Sequence, residues 1–150
     1  MEVKEMFQKV LVPLDGSKLA ECALPSVRNL GRGGFVGEVV LLNVVEIPAT
    51  WIEGIDYVAI KDASLKQSTK YLAELKAQLE AEGLPVRTEI LEGVTSHVIV
   101  DYAMQHGVDL IVIGTHGYTG MKKLMFGSVA LRVLHDAHCP VLLIRPESCR

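Results

Sequence analysis

Apolar residues follow two rhythms along this chain. Short unbroken runs suit strands buried on both faces, and recurrence at every third or fourth position suits helices with one buried side. Residues 10–14 (VLVPL) form the first run, with Pro13 near its end, where a missing backbone donor matters least. Residues 39–45 form the second, interrupted only by the polar Asn43. Residues 86–91 alternate enough to predict a place toward a sheet edge, whereas residues 110–113 (LIVI) are continuous and rich in β-branched side chains. Pro140 opens a last short run, residues 141–144, which Pro146 closes.

Helical spacing fills the gaps. Asp15-Gly16-Ser17 reads as a turn, after which Ser17 can cap a helix whose buried face is Ala20, Ala23, Leu24, Val27 and Leu30. Pro25 falls inside that helix, where it removes a backbone bond and costs about 3 kcal/mol unless a kink absorbs it. A kink is expected, not a break. Residues 57–82 carry the longest helix, with Leu65, Leu72, Leu75 and Leu79 on one face and Lys70/Glu74 and Lys76/Glu80 as exposed pairs; Gly83 and Pro85 stop it. Thr95 or Ser96 starts the next, with Val98, Ile99, Tyr102 and Ala103 inward, and residues 129–137 (VALRVLHDA) give the last. Residues 48–56, which hold the only tryptophan, Trp51, show little periodicity and read as a loop expected near any ligand.

Strand and helix therefore alternate from end to end, which implies an α/β fold: a parallel sheet with helices on both faces. Ligands in such sheets sit beyond the C-terminal strand ends, where chain order switches sides. At 150 residues, residues 1–150 make one domain, able to bury roughly 68–70% of its unfolded surface. A formal net charge of −3 argues against a nucleic-acid binder. No apolar run approaches the roughly 18 residues of a membrane span, so no membrane partner is expected. The three cysteines, Cys22, Cys139 and Cys149, form no CxxC pair and are odd in number. Three inert thiols in a reducing, cytoplasmic setting are the simpler reading.

The candidate chemistry lies in residues 109–128, DLIVIGTHGYTGMKKLMFGS. Gly114 ends the strand, Gly117 follows after two residues, and Gly127-Ser128 follows after nine more at the start of a helix. Glycines let backbone N–H groups approach a ligand, and a helix N-terminus offers unpaired N–H groups with partial positive charge. That is the physics of a phosphate seat.

This Gly-x2-Gly-x9-Gly-Ser spacing, with the strand before it, VALRVL after it, CPVLLIR at residues 139–145 and an N-terminal strand ending in Asp15, resembles the ATP-binding branch of the universal stress protein family. The resemblance covers nearly the whole chain. It implies a five-stranded sheet of order 3-2-1-4-5, similar to the adenine-nucleotide alpha-hydrolase fold, which sets strands one and four side by side. It implies ATP with Mg2+ or Mn2+ as ligand. Backbone groups around Gly117, Gly127, Ser128 and Val129, with the Ser128 hydroxyl, would meet the phosphates, and Gly114 and Thr115 the ribose side. Pro13, Leu14 and Asp15 would lie near ribose and adenine, with Val44 against the base. A homodimer through the last strand, from Pro140 to Arg145, is also implied, and it agrees with the invitation that an apolar sheet edge extends to another strand.

Other residues have plainer readings. Asp15 is alternatively a turn or cap residue. Lys122 and Lys123 suit a solvated loop, and Leu124, Met125 and Phe126 suit packing onto the sheet. His135 and His138 stand three apart, but a helix C-terminus explains them more simply than a metal does. His116, inside the glycine stretch, is a candidate phosphate neighbour or loop-shaping residue. There is no GxxxxGK[ST], no GxGxxG after the first strand, no HIGH or SGGxDS adenylation motif, and no nucleophile-base-acid set. Taken with the ATP ligand that the resemblance implies, these absences point to a regulatory protein acting through conformation or assembly, with any hydrolysis slow. The alternatives are an ATPase or nucleotide-transfer enzyme, in which Asp15 holds a divalent ion and His116 lies near the phosphates, and a non-catalytic interaction module that binds AMP or no nucleotide.

Overall fold

A computed structural model describes residues 6–46, 56–116 and 127–145. Gly117, Trp51, Lys122, Lys123, Leu124, Met125, Phe126, Pro146 and Cys149 lie outside them. The elements are β1 (Phe7–Pro13), α1 (Lys18–Glu21), α2 (Leu24–Arg32), β2 (Val36–Val45), α3 (Tyr57–Ala81), β3 (Val86–Glu92), α4 (Thr95–Gln105), β4 (Leu110–Gly114), α5 (Ser128–Asp136) and β5 (Val141–Ile144). The strands form one five-stranded sheet of order β3-β2-β1-β4-β5, and every pairing is parallel. This is the order that the resemblance implies.

Alternate side chains of each strand feed two cores. Val10, Val12, Val39, Leu41 and Val112 face Val27 of α2 and Leu72, Leu75 and Leu79 of α3. Leu11, Val40, Leu42, Ile111 and Ile113 face Ile99 and Tyr102 of α4 and Val133 of α5. Burial on both faces explains why β1, β2 and β4 read as unbroken apolar runs and only β3, an edge strand, alternates. No helix of the described residues is long and apolar enough to cross a membrane.

Two expectations need correction. The helix after Ser17 does not kink at Pro25; it breaks, into α1 and α2. A proline lacks the N–H that would bond Glu21 and its ring would press on that carbonyl, so α1 stops at Glu21 and Pro25 becomes a first-turn residue of α2, where no donor is needed. Nor are all the cysteines inert thiols: Cys139 is free, but Cys22, buried against the first core, is disulfide-bonded. Cysteine usage therefore gives no argument for a reducing compartment.

Candidate functional site

The site grows from the ends of β1, β2 and β4. Leu14 continues β1 by donating its N–H to the Leu42 carbonyl, 2.8 Å away, while its own carbonyl accepts from Asn43 Nδ2 at 2.8 Å. Asn43 Oδ1 in turn accepts from the Ser68 hydroxyl on α3, also at 2.8 Å. The one polar residue that interrupts the second apolar run is thus a buried bracket, satisfied on both sides. Beyond Leu14 the chain turns sharply. Asp15 Oδ1 accepts from the Ser17 N–H at 2.9 Å and from its hydroxyl, Gly16 takes φ of 87°, and Ser17 Oγ accepts from the Ala20 N–H at 3.1 Å to cap α1. Asp15 fills the turn role and stands on the site wall as well.

The β4 side is built from backbone. Gly114 is a glycine because α1 crosses it: an added Cβ would stand 3.0 Å from the Leu19 carbonyl oxygen. Thr115, 1% exposed, donates its N–H to the Ile144 carbonyl, and its hydroxyl pairs with His116 Nδ1 at 2.8 Å. The Gly127 N–H bonds the Thr115 carbonyl at 2.7 Å, so the start and finish of the glycine stretch are tied together. That N–H, which the resemblance assigns to phosphate, is engaged within the protein. The first-turn N–H groups of Ser128, Val129 and Ala130 have no acceptor within α5, and the N-cap residue, Gly127, has no side chain to cap that end.

Between these edges lies a cavity of about 290 Å3. Pro13, Leu14 and Asp15 line it from β1, Val44 from β2, Gly114 and Thr115 from β4, and Gly127, Ser128 and Val129 from the start of α5. The structure therefore brings the expected residues around one cavity, Gly117 excepted because it is not described. The wall also holds His116, the candidate phosphate neighbour, and residues that the sequence did not single out for it: Leu42, Glu46, Thr95, Ile99 and Ile113. Glu46 Oε1 accepts from both the Thr95 N–H and the Thr95 hydroxyl, each at 2.7 Å, and so does the capping that α4 lacks locally. These bonds, the backbone one foremost, hold the Glu46 carboxyl below its usual pKa. The only prior signal was position: Glu46 follows a strand end in an α/β sheet.

Away from the cavity, His135 Nδ1 pairs with Asp136 Oδ1 at 2.6 Å, and this contact outweighs the opposing effect of burial and lowers the Asp136 pKa. The described residues contain no group of three metal-ligating side chains.

The profile of the universal stress protein family matches residues 6–145. This chain belongs to that family. Among its relatives, the universal stress protein MJ0531 of Methanocaldococcus jannaschii is 34% identical over 95% of this chain and 84% of its own. The universal stress protein YxiE of Bacillus subtilis is 31% identical over 93% and 100%. In three dimensions the chain is similar to the solved structure of MJ0577, also of Methanocaldococcus jannaschii, with a TM-score of 0.85 and 31% identity over 93% of this chain and 96% of that one. Family membership accounts for the strand order and for a glycine-bounded site at the ends of β1 and β4.

Proposed function

We propose that this universal stress protein binds ATP and acts as a regulator through nucleotide-dependent conformation or assembly, with at most slow hydrolysis. One observation carries the reading: the N-terminus of α5, whose N-cap glycine supplies no side-chain cap, opens on the same cavity as an apolar wall of Leu42, Val44 and Ile99. Anionic phosphates fit the first, and a flat base fits the second. A hard divalent ion such as Mg2+ or Mn2+ suits the Asp15 carboxylate together with phosphate oxygens, a donor set typical of magnesium-nucleotide sites. A cytoplasmic location is part of the same proposal. Calorimetric titration of nucleotide-stripped protein with magnesium and ATP should give saturable binding. Absence of heat and of competition with a labelled nucleotide would leave an interaction module.

Asp15 and His116 sharing the wall support a second reading, an ATPase or nucleotide-transfer enzyme. Turnover lost in Asp15→Asn at unchanged ATP affinity would select it. For assembly, β5 is an edge strand with Leu142 38% exposed, and Leu131 and Leu134 are exposed on α5, the helix that leads into it. We propose a homodimer through Pro140 to Arg145. Leu142→Lys should then sediment as a monomer; a surviving dimer puts the interface elsewhere.

A further inference from the structure

We propose that Glu46 is the specificity determinant for the base: its carboxylate, held by Thr95, accepts a hydrogen bond from the 6-amino group of adenine and repels a 6-oxo purine. This deepens the nucleotide reading above and rests on it.

Direction comes from the sheet. Phosphates at the start of α5 lie beside β4, with β1 next and β2 beyond it. Neighbouring strands are about 4.8 Å apart, so the end of β2 lies roughly 10 Å from that of β4, enough to carry a nucleotide from its phosphates to the far edge of its base. At that far edge the side chains on the wall are apolar, from Val44, Leu42 and Ile99, except for Glu46 and Thr95. Asp15, the other carboxylate on the wall, belongs to β1 and is bonded through Oδ1 to Ser17.

Construction comes from the hydrogen bonds. Both Thr95 donors converge on Oε1 at 2.7 Å, which fixes the rotamer of an otherwise exposed side chain. Oε2 makes no hydrogen bond among the described residues. An ionised carboxylate only accepts, so Oε2 suits an amino group and opposes a carbonyl. A cap for α4 needs Oε1 alone; the same carboxylate on the cavity wall at the base end is what a cap does not require.

The test is the ratio of affinities for ATP and inosine triphosphate, which differ at the 6-position. Wild-type protein should bind ATP about tenfold more tightly, well below the roughly 10⁴-fold of a fully buried polar site, because Glu46 is exposed. In Glu46→Gln the ratio should fall to about one, since an amide turns either its oxygen or its nitrogen toward the ligand. Loss of a negative charge strengthens both triphosphates alike and cancels in the ratio. Thr95→Val, which keeps the backbone bond and removes the hydroxyl one, should lower the ratio about threefold and serves if Glu46→Gln fails to fold. Equal wild-type affinities, or a preference that survives both substitutions, would overturn the proposal and leave Glu46 as a cap. If neither triphosphate binds wild-type protein, the nucleotide reading falls first and this one with it.

Discussion

The two ends of the cavity are made from different materials. Toward β4 and α5 the donors are backbone N–H groups, and glycine leaves room for them or for a neighbouring helix. Toward β2 and α4 the wall is assembled by side chains that meet across long sequence distances: Asn43 with Leu14 and Ser68, and Glu46 with Thr95. Backbone donors serve any phosphate whatever residues carry them, whereas a base edge needs donors and acceptors of one pattern. The first end should therefore set affinity and the second selectivity.

The strongest way to break that division is Ser128→Asp. A carboxylate on the first turn of α5 opposes phosphate at close range, and roughly a hundredfold loss of ATP affinity is expected after screening. The same change should raise thermal stability slightly, because α5 has no acid in its first turn to meet the helix dipole. Weaker binding with unchanged or higher Tm, read by calorimetry and thermal melts, locates the phosphates; unchanged binding places them elsewhere.

Two substitutions should act through folding. Gly114→Ala forces a methyl group to 3.0 Å from the Leu19 carbonyl oxygen, a backbone atom that yields only if α1 shifts, for a loss of about 1–3 kcal/mol in urea unfolding. Asn43→Leu strands the Leu14 carbonyl and the Ser68 hydroxyl, at about 1–3 kcal/mol. If the ends differ as argued, Asn43→Leu should also loosen the base end and narrow ATP selectivity, which Gly114→Ala should not do.

The smallest effect is that of pH. The folded-state pKa of Glu46 is lowered, so its contribution is complete above the unfolded value of about 4.3 and is lost as pH falls through the folded value. For so exposed a group the contribution is under about 1 kcal/mol. The Tm gap between wild type and Glu46→Gln should shrink as pH drops from 6 to below 4; a constant gap would mean that the Thr95 bonds do not favour the charged form.

Legibility in the sequence followed the same divide. The glycine spacing could be read because backbone approach demands one residue type at fixed places, and α3 could be read because Gly83, Pro85 and the leucine face are local signals. The Pro25 break was missed because helical spacing carries on through it: Ala20, Leu24 and Val27 are buried in the same core on either side of the gap. Glu46 and Thr95 were not paired because they are 49 residues apart. Only the β2–β3 register, Val45 opposite Glu92 with the Gly93 N–H on the Val45 carbonyl, brings the start of α4 to the end of β2.

The Asn43 bracket has one more consequence. Ser68 belongs to the longest helix and Leu14 to the cavity wall, and a single amide holds both. A ligand that shifted the Leu14 carbonyl would pull on α3 through this amide, and by thermodynamic reciprocity whatever shifted α3 would change the affinity for that ligand by the same factor. A residue that looks like a flaw in a hydrophobic strand is in this sense a lever, with the cavity wall at one end and the long helix at the other.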